Sequence, residues 1–155
     1  MDTCQNVQLI HASAFAYEGM GCLLTGPSGS GKSRLLAGAM LHKADLISDD
    51  QVALHAHNGN LVACPAPNIK GVIELRGLGL IKHPHTVASH PIHLIVDLGE
   101  EDERLPEPTT YEYCGIEVPF RRLASARTML AAPLLLYLKA MQQGRILPPD
   151  WHPKG

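Results

Sequence analysis

No stretch of the sequence approaches the roughly 18 uninterrupted apolar residues that a membrane-spanning helix needs. Met1 to Val7 carries neither the basic flank nor the apolar stretch of a secretory signal. The chain therefore reads as cytoplasmic, with no membrane partner. Its four cysteines, Cys4, Cys22, Cys64 and Cys114, include no CxxC pair, which argues against a cysteine zinc site and for free thiols. Nor is there an excess of one charge. Thirteen basic against 15 acidic residues leave a net charge of -2, too balanced for a protein that coats nucleic acid or an anionic membrane, so any basic site must be local. Internal repeats are absent. What remains is 155 residues, 45% of them hydrophobic, with 14 glycines and 12 prolines. This is one turn-rich globular domain over residues 1–155, large enough to bury its own core.

Hydrophobic spacing then divides the chain. Val7 to Tyr17 reads as a strand, and Cys22 to Thr25 as a short apolar run that stops at a glycine-rich segment. Ser33 to Leu41 has helical spacing, and Ala44 to Ser48 is strand-like again, ending in Asp49-Asp50. The carboxyl ends of strands are where open α/β sheets place their chemistry. Val52 to His57 and Leu61 to Ala66 flank Asn58-Gly59, a strong hairpin signal. Ile69 to Ile81 has strand-like ends around a glycine-rich middle, Ile92 to Leu98 is a buried-strand pattern, and Thr109 to Phe120 suggests a further hairpin. Ala124 to Met141 reads as a C-terminal helix interrupted or kinked near Pro133. The prediction is an α/β domain with a mainly β core and a C-terminal helix.

Gly26-Pro27-Ser28-Gly29-Ser30-Gly31-Lys32-Ser33 fits the Walker A pattern GxxxxGK[ST] in full, after a predicted strand and at the start of a predicted helix. The glycines let backbone N–H groups wrap a phosphate, Lys32 neutralises β/γ charge and the Ser33 hydroxyl ligates magnesium. Phosphoryl transfer also needs a carboxylate to anchor the metal and a group to orient the nucleophile. Adjacent residues at a strand end point to different sides, so one of Asp49 and Asp50 can face a metal while the other takes a proton; a polar strand cap is the alternative. Asp97 is a rival metal anchor without a second acid beside it. Glu74 and Arg76 share one face of an extended segment, suited to a metal and a phosphoryl group, or to a surface ion pair. His55 with His57, and His83 with His85, also share strand faces, yet no acid or thiol completes a ligand set. His11 lies in the strand just before that of the phosphate loop.

Together these residues resemble the catalytic domain of the bacterial HPr kinase/phosphorylase family, in a short form without the family's N-terminal domain. The likeness rests on His11 at the family's spacing before Lys32, on GPSGSGKS, on the apolar strand ending in Asp49-Asp50, and on IKGVIELRGLGLI around Glu74 and Arg76. It runs from about His11 to about Pro119. The resemblance implies an ATP- and magnesium-dependent serine kinase acting on a small HPr-type phosphocarrier of a sugar or nitrogen phosphotransferase system. It also implies a homo-oligomer, hexameric in the family. By resemblance Asp50 is the general base, Lys32 stabilises the transferring group, and Ser33 and Glu74 ligate magnesium. Asp49 supports the metal through water, His11 is a partner near the phosphates, and Arg76 supports phosphoryl charge.

Two departures stand out. Arg34 occupies a position where the family usually has Glu, and the family's Pro-Gly-Arg-Asn block is missing, the chain reading Val118-Pro119-Phe120-Arg121-Arg122-Leu123-Ala124. That block contributes a catalytic arginine, and none of Arg121, Arg122 and Arg127 aligns with it. The loss counts against reverse phosphorolysis and carrier docking, whereas ATP and magnesium binding depend on parts that are present. The alternatives are a nucleotide-responsive regulatory module without turnover and a small-molecule P-loop kinase. The hairpins after Asp50 and the Glu74 to Gly79 block argue against the latter.

Overall fold

A computed structural model describes residues 7–125 and 130–153. The strands are β1 (Gln8–His11), β2 (Ser13–Tyr17), β3 (Met20–Thr25), β4 (Asp45–Ser48), β5 (Gln51–His57), β6 (Asn60–Pro65), β7 (Val72–Leu75), β8 (Gly79–Lys82), β9 (His90–Pro91), β10 (Leu94–Gly99), β11 (Thr110–Tyr113) and β12 (Ile116–Ala124). Helices α1 (Lys32–Leu41) and α2 (Ala132–Gln142) complete the described elements. They form a six-stranded sheet, β11-β12-β10-β3-β2-β4, a four-stranded sheet, β1-β5-β6-β9, and the separate hairpin β7-β8. In the larger sheet β10 runs parallel to both β3 and β12, while β2 and β11 pair antiparallel with their neighbours. The result is an α/β fold, mainly sheet.

Alternate residues explain the layering. Along β3, Cys22 and Leu24 enter a core shared with Leu35 and Leu36 of α1 and Leu134 and Leu138 of α2. Leu23, between them, enters a second core with Val52, Leu54 and Leu61 of the smaller sheet. The central strands are therefore covered on both faces, which is why they read as continuous apolar runs. Met20 and Gly21 carry the chain close under the smaller sheet: a Cβ on Gly21 would overlap the Pro91 carbonyl oxygen.

Two expectations need correction. Val7 to Tyr17 is not one strand: the chain leaves the smaller sheet after His11, turns at Ala12 and enters the larger one at Ser13. Ala12 N–H donates to the carbonyl of Asp50 (3.1 Å) rather than to a ladder neighbour. Nor does Pro133 kink a helix, because α2 begins at Ala132 and the proline falls in its first turn, where no N–H is needed. Ala124 ends β12, residues 125, 130 and 131 of the expected helix precede α2, and 126–129 lie outside the described residues. The Asn58-Gly59 turn does join β5 to β6, with both residues at positive φ and His57 opposite Asn60.

Candidate functional site

The sharp turn from β3 into α1 depends on backbone that only glycine adopts freely. Gly26, Gly29 and Gly31 have φ of 136°, 80° and 104°. Gly26 is fixed by space as well, since a Cβ there would lie 2.6 Å from the Leu98 carbonyl oxygen and 2.9 Å from Ser30 Oγ. Helix α1 has no side-chain N-cap and no acid in its first turn. The N–H groups at its start thus lack helical acceptors, and the end carries partial positive charge. Ser30 Oγ is buried without a hydrogen-bond partner beside it. A loop with unmet donors at a helix N-terminus suits an anion. Lys32 folds over this loop, its Nζ donating to the carbonyls of Gly26 (2.6 Å) and Pro27 (2.9 Å). Burial pushes the Lys32 pKa down, against the opposing pull of Asp50, Asp49 and Asp97.

The two carboxylates after β4 do part ways. Asp49 is 3% exposed, and its Oδ1 accepts from Ser13 Oγ (2.8 Å) of β2 and Ser33 Oγ (3.1 Å) of α1. Its Oδ2 accepts from the Glu74 N–H (3.2 Å) of β7. Asp50 is exposed, with a φ of 70° that an L-residue seldom adopts; its short polar side chain is among those that tolerate it best. That left-handed step carries the chain from β4 in one sheet to β5 in the other and turns the Asp50 carboxylate outward. There Asp50 Oδ1 lies 3.3 Å from His11 Nδ1, and His11 Nε2 lies 3.4 Å from Ser28 Oγ.

These groups line one cleft of ≈ 570 Å³ that includes His11, Ser28, Lys32, Ser33, Asp50 and Glu74, together with Arg76. Arrival at it differs in places from expectation. His11 comes in on β1, paired with β5, not by lying beside β3. Glu74 is in β7, whereas Arg76 sits in the turn before β8, so the two share the cleft but not an extended face. Asp97 is held by Thr25 Oγ1 (2.7 Å) in the sheet. Arg121 donates to Tyr137 Oη (3.4 Å), and Arg122 lies 5.5 Å above the Phe120 ring. Arg127 is outside the described residues. The rings of His55 and His57, and of His83 and His85, sit 6.5 and 6.0 Å apart, away from the cleft. Sequence reasoning missed Ser13. A serine leading a strand of otherwise small apolar and aromatic residues, two residues after His11, was the available signal.

Among the described residues no helix is long and apolar enough to cross a membrane. Comparison with known proteins gives a consistent result. HPr kinase/phosphorylase of Lactobacillus acidophilus is 33% identical over 123 residues, 71% of this chain and 38% of the relative. That of Mycoplasmopsis pulmonis is 31% identical over 157 residues, 89% of this chain and 50% of the relative. The chain thus spans half or less of the length of these relatives. The solved structure of the Hpr(Ser) kinase/phosphatase from Coxiella burnetii superposes with a TM-score of 0.76 at 26% identity, over 88% of this chain and 99% of that one. Residues 3–127 match the model of the HPr serine kinase C-terminal domain, and the chain belongs to that family.

Proposed function

We propose that this protein transfers the γ-phosphoryl group of ATP to a serine hydroxyl on a small HPr-type phosphocarrier protein. The observation that supports this most is the meeting, around one cleft, of a glycine-rich loop at a helix N-terminus, the Ser13, Ser33 and Glu74 partners of the buried Asp49 carboxylate, and the outward carboxylate of Asp50 on a residue at positive φ. The family supplies the substrate class. Gly26 to Ser33 would cradle the phosphates, with Lys32 exchanging its two carbonyl partners for phosphoryl oxygens. Ser33, Glu74 and Asp49 offer the hard oxygen set that suits magnesium, Ser33 and Glu74 directly and Asp49 through water. Magnesium, when bound, neutralises charge on the β- and γ-phosphates. Asp50 takes the proton of the serine hydroxyl as its oxygen bonds to the γ-phosphorus; the bridging P–O bond breaks and ADP leaves with the electron pair. His11, against Asp50 and Ser28, orients that base, and Arg76 stabilises charge on the moving group.

The test is transfer of label from ATP, with magnesium, to HPr-type carriers, followed by mapping of the modified residue. Serine phosphate on a carrier is expected. ATP binding without transfer to any carrier would refute the kinase reading in favour of a nucleotide-responsive binding module, and no ATP binding would refute the role of the glycine-rich loop.

A further inference from the structure

Helix α1 opens against its own dipole. Its first three residues are Lys32, Ser33 and Arg34, two cations and no acid, at the end where the backbone already carries partial positive charge. Lys32 is turned back onto the loop, its Nζ on the carbonyls of Gly26 and Pro27. Arg34 has no such anchor: it is exposed and, among the described residues, has neither a hydrogen-bond nor an ion-pair partner. A second cation at a helix start breaks a local preference with nothing in the fold to offset it, and such breaks gather at functional sites. Arg34 lines the cleft that holds Lys32, Asp50, Glu74 and Arg76, and Ala37, one turn further along α1, lines it too, so this side of the helix forms one wall. Helical side chains lean toward the N-terminus of their helix, which directs Arg34 toward the glycine-rich loop. The nearby carboxylates do not neutralise it. Asp50 faces His11 at 3.3 Å, Asp49 is held by Ser13, Ser33 and the Glu74 N–H, and among the described residues no ion pair joins Glu74 to Arg34 or Arg76.

We propose that Arg34 is a further phosphate-binding cation of the reaction, whose guanidinium grips the γ-phosphoryl group of the nucleotide. This rests on the function proposed above. The choice of the γ-phosphoryl over the α- and β-phosphates follows from Asp50: a carboxylate that takes the acceptor's proton stands beside the phosphorus under attack, and Arg34 and Asp50 line the same cleft. The planar fork of an arginine meets two non-bridging oxygens at once, which the ammonium of Lys32 cannot do. No proton moves in this contact. The guanidinium stays charged throughout, and as the bridging P–O bond breaks its N–H groups donate to the charge spread over the γ-phosphoryl oxygens. The nucleotide in turn supplies the anion that the start of α1 lacks.

The experiment compares the full-length wild type with Arg34→Ala and Arg34→Lys, with magnesium, in calorimetric binding of ADP, calorimetric binding of a non-hydrolysable ATP analogue, and transfer from saturating ATP to an HPr-type carrier. Arg34→Ala is expected to bind ADP as the wild type does and the analogue about tenfold more weakly, the scale of a hydrogen bond to a charged group. Its kcat should fall about 10²-fold, the scale of one positioned donor to a developing charge. Arg34→Lys keeps the charge without the fork and should fall between. Without nucleotide, Arg34→Ala should melt about 1–3 °C above the wild type, because the cation opposing the helix dipole is gone, which separates lost activity from lost fold. Arg104→Ala, at an exposed position after β10, should change none of these. Unchanged kcat and analogue affinity in Arg34→Ala would overturn the proposal, as would an ADP affinity that falls as far as that for the analogue. A wild type that transfers to no carrier would sink the kinase reading, while analogue binding weakened in Arg34→Ala with ADP binding unchanged would uphold the contact. Failure of the wild type to bind either nucleotide would sink both.

Discussion

Asp49 ties four separate pieces of the fold together, and its replacement has a magnitude that follows from its partners. In Asp49→Ala three donors lose their acceptor: Ser13 Oγ, Ser33 Oγ and the Glu74 N–H. Ser13 is wholly buried and finds no water. Hydrogen bonds to a charged group contribute about 1.5–3 kcal/mol each, and a buried donor left unmet sits at the upper part of that range. Ser33 and Glu74 border the cleft, so water replaces much of what they lose. Relief of the desolvated carboxylate offsets part of the total. The net expectation is destabilisation by about 3 kcal/mol. Asp49→Asn keeps one acceptor oxygen for the two hydroxyls but turns an amide N–H₂ toward the Glu74 N–H, for a cost of about 1 kcal/mol. Urea denaturation followed by far-UV circular dichroism measures both; with a slope of about 2 kcal/mol/M the alanine midpoint falls by about 1.5 M. Ser13→Ala combined with Asp49→Ala should cost less than the two separately, because they remove one bond. An alanine variant within about 1 kcal/mol of wild type, or an asparagine variant no better than alanine, would refute the account of Asp49 as a satisfied hub.

Three further outcomes are expected. Asp50→Asn should retain ATP binding while losing carrier phosphorylation by about 10²-fold or more, the scale of a general base; full transfer activity would remove Asp50 from that role. Gly21→Ala drives a methyl group into the Pro91 carbonyl, so thermal unfolding should move down by an amount equivalent to about 3 kcal/mol; an unchanged midpoint would show that the smaller sheet shifts freely. His93 Nδ1 accepts from the Gly21 N–H (2.9 Å), and burial, with a smaller push from His90, holds its pKa below the ordinary 6.5. The unfolded chain therefore takes up a proton first as pH falls. Stability present above about 6.5 declines below it, by at most about 1.4 kcal/mol per pH unit from this group, and levels off beneath the folded pKa. His93→Asn supplies an acceptor that does not titrate and should flatten this limb in urea titrations between pH 7 and 5; an unchanged slope would refute the assignment.

Most of the strand inventory was legible because the larger sheet is covered on both faces, which prints unbroken apolar runs such as Ile92 to Leu98, and because Asn58-Gly59 has one preferred turn. The loop from Gly26 to Ser33 was legible for a related reason, since each glycine meets a local backbone demand. The crossing at Ala12 was not. A strand leaving one sheet for another keeps its period of two, and only the distant acceptor on Asp50 reveals the break. The same holds for Ser13, whose partner Asp49 lies 36 residues away. The turn position of Arg76 was hidden by the glycines that follow it, Gly77 and Gly79, which suit extended and bent backbone alike. Pro133 was misread because its effect depends on where the helix starts, and β12 runs on to Ala124.

The chain crosses from one sheet to the other at Ala12 and back again at Asp49-Asp50, and the Ala12 N–H to Asp50 carbonyl bond joins the two crossings. His11 and Ser13 flank the first, and the two aspartates are the second. In folding, such a seam closes only when β1 has found β5 and β2 has found β4, partners 40–46 and 29–34 residues apart in sequence. Loop-closure entropy makes pairings of that separation slow. The Asp49 and Asp50 constellation therefore belongs to the late side of the folding barrier. Substitutions at Ser13 and Asp49 should appear mainly as faster unfolding, with φ-values near zero, and those in the local β5-β6 hairpin as slower folding.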